Sequence, residues 1–494
     1  MNNKRICLIL KEETKKKYSI TRTFAIFEKT VIFIIVFLIL FLTTMHSLNA
    51  ESQFDSDDMI FEDETSSRFD SDDILFLDSD TEDKQEKQKK SLFHKVFVND
   101  SKFTLGYEFS YALDLEPDIV TNDAYFRQET QTLMFGDFFL QFDGQFKLMV
   151  NSDHRSKAKN RDFLINSSIR EFYIQKGFEN FNITFGKQII VWGKADTGII
   201  TDVVSPRDNS DFIFIKLEDS RFGQTMLSST VYTHMGRMFF FIAPKPLTDK
   251  EPDEGTRYYI PDISRDYYIL TEQKPDYSDV EYGTRLEKSF GKTDLSLMTG
   301  HFIANTGMYD FVGIDCFSLK PVVQKKYHDY KMIGIAGTYT KDSYLFKIET
   351  AFKQNYSLQG INLIDLIYSV EKDILDASVG IEYNANERYM LSVELAHRHI
   401  QGNMINLPFD NKRSTSLYTI FSKDFLNQTE SFEYIFYYHI QENNAFHQIR
   451  LTSDITDNFQ MITSMSFFDI KDENSLLWLF KNENRFTVDI KYFF

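Results

Sequence analysis

The sequence predicts a transmembrane antiparallel up-and-down β-barrel of 18 strands, with 16 as the alternative count, behind an export signal and a disordered acidic segment. Three observations carry that prediction. From about residue 101 onward the apolar residues recur with period two, which gives each strand one oily and one wet face. Short polar turns alternate with long polar loops, the pattern of a barrel with one plain and one elaborated rim. The chain ends on an alternating aromatic strand, Phe486, Val488, Ile490, Tyr492 and Phe494.

Residues 1–50 read as a signal peptide. Eight basic residues, from Lys4 to Lys29, precede the unbroken apolar run 31–42, and Ala50 offers a cleavage point. Twelve apolar residues suit a signal core better than a bilayer span; an uncleaved anchor helix is the alternative. The chain has 494 residues, 55 Lys+Arg against 73 Asp+Glu and a net charge of -18. Loss of the leader makes it more negative still. Such a balance excludes a nucleic-acid partner, which requires a basic face. Mean hydropathy of -0.33 excludes a polytopic helical membrane protein but not a barrel, whose strands are apolar on one side only. The two cysteines, Cys7 and Cys316, belong to no CxxC or Cys/His cluster, so neither metal nor cofactor is expected.

Residues 51–100 form an acidic, disordered periplasmic tether ahead of a barrel at 101–494. Within 51–90 there are 15 acidic and five basic residues, and Phe54-Asp-Ser-Asp-Asp-Met-Ile-Phe61 returns as Phe69-Asp-Ser-Asp-Asp-Ile-Leu-Phe76. High charge and low hydrophobicity favour disorder. The segment serves as a solvated linker or as paired docking motifs for a periplasmic partner. Weak calcium binding through Asp55, Asp57 and Asp58 lacks the glycine and distal glutamate of an EF-hand.

Strands follow one another from 103–114 to 485–494. Among them are a second core at 125–134 and a fifth at 181–192. Tight turns fall at 177–180, 291–294, 341–343, 384–387, 426–430 and 454–458. Long loops fall at 152–162, 194–221, 246–279, 305–330, 400–413 and 471–484. Both termini then lie at the short-turn, periplasmic rim. The terminal Phe494 is similar to the signal by which the barrel assembly machinery recognises its clients.

If the apolar parity faces lipid, the lumen receives a charge ladder that includes Arg285, Glu287, Lys347, Glu349, Glu382, Glu394, Arg398 and Arg450. Cross-strand pairing and a transverse field that selects polar solutes are both open readings. Basic stretches at His154, Arg155, Lys157, Lys159 and Arg161, and at Lys320, Lys325, Lys326 and Lys331, attract anions or contact outer-membrane lipid and lipopolysaccharide phosphates.

The segment 170–208 carries Arg170-Glu-Phe-Tyr173, Gly186-Lys-Gln-Ile-Ile-Val-Trp-Gly-Lys-Ala-Asp196 and Asp202-Val-Val-Ser-Pro-Arg-Asp208. It resembles a family of Gram-negative outer-membrane barrels, distantly similar to alginate-export barrels, in which the Ser205 position is usually asparagine. The resemblance implies a barrel for small molecules or polymers. Five charges just past a strand end (Lys194, Asp196, Asp202, Arg207 and Asp208), with Trp192 before them, predict that 193–221 folds inward as a constriction. Arg207 is expected to pair with Asp196, Asp202 or Asp208. A loop that only braces the wall is the alternative. Lys187 falls on the apolar parity, which predicts a bulge or a register break there.

The functional expectation is a porin-like, non-enzymatic channel for small polar or anionic solutes or an acidic polymer. A structural or adhesive barrel that tethers a periplasmic partner is the second reading. An outer-membrane hydrolase is the third, since His301, His397, His399, His439 and His447 belong to no constellation visible in the sequence.

Overall fold

A computed structural model describes residues 97–114, 119–134, 137–150, 163–195, 200–211, 220–252, 256–259, 269–361, 366–385, 389–473 and 475–494. The leader, the acidic repeats, the 154–161 basic stretch and Asp196 lie outside these residues.

Eighteen strands close into one antiparallel barrel. The first seven are β1 (Phe97–Ala112), β2 (Ile119–Met134), β3 (Phe138–Val150), β4 (Phe163–Gly177), β5 (Phe181–Gln188), β6 (Gln224–Thr233) and β7 (Gly236–Pro244). A short loop strand, β8 (Ile269–Gln273), precedes β9 (Val280–Phe290) and β10 (Thr293–Ile303). Two further loop strands, β11 (Met308–Ile314) and β12 (Pro321–Lys326), precede β13 (Asp329–Lys341), β14 (Tyr344–Ile361), β15 (Ile367–Ala385) and β16 (Tyr389–Ile400). The wall is completed by β17 (Arg413–Phe425), β18 (Glu430–His439), β19 (Asn444–Thr456), β20 (Phe459–Asp469) and β21 (Arg485–Phe493). The last strand returns to the first in register from Thr104↔Phe493 to Ala112↔Arg485. The backbones of Phe103 and Phe494 exchange hydrogen bonds of 3.1 and 3.0 Å beyond it. No edge is left unpaired, the condition for a sheet to cross a bilayer.

The period-two pattern sorts as the sequence predicts over most of the wall. Ile183, Phe185, Leu227, Ile242, Leu297, Ile335, Ile348, Val379 and Leu395 are exposed on the outer face, while Thr184, Ser228, Ser296, Asp376, Ser378, Ser392, Gln448 and Ser466 are buried inside. In water such an outer face would be a sticky patch; in lipid it is the required one.

Three expectations need correction. The fifth strand ends at Gln188, not at 192. The register shift expected at Lys187 sits instead in β4, where Glu171 and Ile169 flank a bulge at Arg170 against Asp143 and Gly144. Lys187 remains on the outer face because its ammonium donates to the Ile169 carbonyl at 2.5 Å. The loops at 246–279 and 305–330 are not wholly irregular: β8, β11 and β12 form a small sheet, with β8 and β12 parallel. Tyr309 of β11 is fixed to Gln359 on the long β14 by hydrogen bonds of 2.8 and 3.0 Å.

Candidate functional site

The segment that follows β5 leaves the wall and turns into the lumen, and each part of the 170–208 motif serves that departure. Gly186 has φ +133°, and a Cβ there would lie 2.4 Å from the Phe172 carbonyl, so only glycine suits the position. Gln188 anchors the strand end, donating to the Met226 carbonyl at 3.0 Å and accepting from Ser228 at 2.6 Å. Glu171 accepts the amide of Ile189 at 2.9 Å. Ser205 then clamps the two arms of the segment together: its hydroxyl accepts the Ile190 amide at 2.7 Å and donates to the Ile190 carbonyl at 3.1 Å.

This inner segment, the strap, lies against an apolar stretch of wall that strict alternation did not predict. Met226, Phe239, Phe241, Met298, Phe302 and Met332 are on the inner parity of β6, β7, β10 and β13, yet they are buried together with Trp192, Ile200, Val203 and Val204 of the strap. Trp192 is neither a girdle residue nor an open platform. It is fully buried, edge-on to Phe241 and Phe302 with both centroids at 5.7 Å. Gly283 on β9 makes room for it, since a Cβ there would stand 2.8 Å from the indole. The apolar underside excludes water and keeps the strap docked.

Polar anchors hold it at two further places on the ring. Glu349 on β14 accepts the amides of Lys194 at 2.7 Å, Ala195 at 3.0 Å and Thr201 at 2.7 Å, and the Thr201 hydroxyl at 2.7 Å. At the other end Asp211 accepts from Arg485 of β21 at 3.1 Å. Around the ring β14 is six strands from β5, and β21 is seven beyond β14. The strap therefore touches the wall at three well-separated sectors.

Charges within the strap pair with one another. The Asp202 carboxylate accepts from Arg207 at 2.6 Å and from Arg221 at 2.7 and 2.8 Å. Of the partners expected for Arg207, Asp202 is the one found among the described residues, and Asp196 lies outside them. Asp208 instead takes Lys250 at 2.7 Å, from the loop after β7. Backbone bonds from Asn209 to the Lys250 carbonyl and from Lys250 to the Arg207 carbonyl, both 2.8 Å, join the two loops into an inner ribbon. Burial opposes ionisation of Asp208, but Lys250 and Ser210 outweigh it and hold its carboxyl below the ordinary range. Burial pushes the Asp249 carboxyl the other way, upward, against the Arg207 amide it accepts at 2.8 Å. Lys194 turns its ammonium to Glu287 at 3.2 Å.

The predicted ladder residues all face inward, and most bond across adjoining strands. Glu287 also takes Arg237 at 2.6 Å and Arg285 at 3.5 Å. Lys347 pairs with Glu382 at 2.7 Å. Arg398 and Lys353 share Asp376 at 2.7 and 2.8 Å, and Arg450 pairs with Glu433. Glu394 is buried on β16. Opposite signs thus alternate locally along the inner face. Sequence reasoning missed Arg485 and Asp211, which meet across 274 positions, and the pairing of Asp376 with Arg398 and Lys353, 22 and 23 positions away, and it placed Glu349 in a ladder rather than at an anchor.

One serine–histidine pair does assemble in space. Ser414 Oγ lies 2.7 Å from His439 Nε2, near the long-loop rim. The Glu442 amide donates to His439 Nδ1 at 3.3 Å, and the Glu442 carboxylate lies 3.7 Å from the same nitrogen.

No protein-family model matches the sequence, and no curated protein matches it either. Solved structures do resemble the fold. OccK8 (OprE) of Pseudomonas aeruginosa superposes with a TM-score of 0.50 at 8% identity, over 80% of this chain and 98% of that one. OccAB1 of Acinetobacter baumannii gives 0.50 at 8% identity, over 81% and 96%. The architecture is therefore that of outer-membrane porin-type barrels.

Proposed function

We propose that the chain is an outer-membrane, porin-like channel in which the strap sets the constriction, passing small polar or anionic solutes or an acidic polymer. The observation that carries this reading is the inward segment held at three sectors of a closed 18-strand ring. A barrel of this strand number is wide enough for water, and a partition inside it fixes which solutes fit. The wall away from the strap supports a polar solute: β16 to β19 present Glu394, Arg398, Tyr418, Glu433, Arg450 and Gln448 on the inner parity. Kinship with alginate-export barrels, suggested by the 170–208 motif, accords with an acidic polymer as cargo. A structural barrel is favoured by one observation, the ribbon that ties the strap to the loop after β7.

Planar-bilayer recording of the purified protein separates the two. The channel reading expects discrete conductance steps in the wild type. It also expects altered ion selectivity in Arg207→Gln and Asp208→Asn. A wild type and strap variants that all remain silent in folded form refute the channel and leave the structural barrel.

A further inference from the structure

The outer wall carries a second feature that the channel does not use. Just above the apolar belt, on the side of the long loops, the outward positions of β10, β13, β16, β17 and β19 change from aliphatic to basic or titratable. On β10 His301 follows Leu295, Leu297 and Thr299; on β13 Lys331 precedes Ile333 and Ile335. His301 and Lys331 are direct cross-strand partners. On β16 His397 and His399 follow Leu391, Val393 and Leu395, and His399 is the direct partner of Arg413 on β17. His447 on β19 stands beside Phe436, with ring centroids 5.0 Å apart.

Of these, His301 faces Asp329 at 3.9 Å and His397 meets Thr415 at 2.9 Å. Lys331, His399 and Arg413 have no protein partner among the described residues, and Lys331 and Arg413 are exposed. The acids at this level include Asp329, two-thirds exposed, Asp373, which accepts the Asn355 amide at 3.1 Å, and Asp469 on β20, which pairs with Lys471 at 3.2 Å. From Lys331 on β13 to His399 on β16 is three strand spacings, about 14 Å.

We propose that this band is a docking surface for a phosphate-bearing glycolipid of the outer leaflet, of the lipopolysaccharide class. Position and charge argue for it together. The apolar belt fixes the height of the bilayer on the wall, so residues one or two steps above it stand at the headgroups. The long loops fix that side as the outward-facing leaflet. A guanidinium grips phosphate through two N–H groups and an ammonium meets it as a point charge. Two unpaired cations separated along the wall suit a lipid with more than one phosphate, while the aliphatic and aromatic residues beneath receive its acyl chains. Of the lysines singled out in the sequence, Lys325 is already bound to Glu251 at 2.5 Å, and Lys331 is the one left exposed on the wall.

Binding of purified lipopolysaccharide and of its dephosphorylated form is measured on the full-length protein in detergent. The wild type is expected to bind the phosphorylated form at least tenfold more tightly. Lys331→Gln, His399→Gln and Arg413→Gln combined remove that preference, whereas Lys341→Gln, an exposed outward lysine at the opposite rim, keeps it. Equal binding of the two lipids by the wild type overturns the proposal and needs no variant to fold. So does full preference in the triple variant, its folding checked by heat-modifiable gel migration.

Discussion

Glu349→Gln is the sharpest test of the strap. The carboxylate accepts four hydrogen bonds from Lys194, Ala195 and Thr201 and is itself almost fully buried. Glutamine keeps one acceptor oxygen and turns an NH2 toward donors. It therefore loses at least two bonds to a charged acceptor, at roughly 1.5–3 kcal/mol each. Docking of the strap weakens by about 3–6 kcal/mol, which at about 1.4 kcal/mol per decade is two to four powers of ten in the docked ratio. The wall loses nothing, because Glu349 contributes to the β13–β14–β15 ladder through its backbone. Trp192 reports the outcome: the chain has two tryptophans, and Trp192 is the fully buried one. The variant is expected to remain a heat-modifiable barrel, to shift its tryptophan emission to longer wavelength and to conduct in larger steps. Wild-type emission together with wild-type conductance would refute the idea that Glu349 holds the strap.

Two further outcomes follow from the same geometry. Gly283→Val places side-chain atoms where a Cβ alone meets Trp192 and Phe241 at 2.8 Å; overpacking of about 1–3 kcal/mol is expected to displace the indole and red-shift its emission, and an unchanged spectrum contradicts the packing. Asp208 has a depressed carboxyl, so its bond to Lys250 stabilises the inner ribbon above the ordinary carboxylate value of 3.8 and fades as pH falls through the lower, folded value. Lys250 is nearly half exposed, so the effect is less than about 1 kcal/mol; Asp208→Asn is expected to flatten the change in conductance recorded below pH 4, and a profile identical to the wild type rules the bond out as its cause.

The barrel was legible because its determinants are local. A period of two, a polar turn every two strands and a terminal aromatic strand are properties of neighbouring residues, and lipid outside with water inside turns them directly into a wall. Even the inward turn after β5 was visible, since Gly186, Trp192 and the crowd of charges to Asp208 break the strand pattern within about twenty positions. The anchors were not legible. Glu349 read as one more inner charge until the fold brought three amides from 148 to 155 positions upstream onto it, and Asp211 met Arg485 across 274 positions. Nor did alternation reveal that Phe239, Phe241, Met298 and Phe302 face inward; an inner face can be apolar only if something covers it, and what covers it comes from another part of the chain. The sequence by itself determined that this protein is a closed membrane barrel. The tertiary structure alone decided what occupies its interior, because burial there depends on contacts between residues that no local pattern relates.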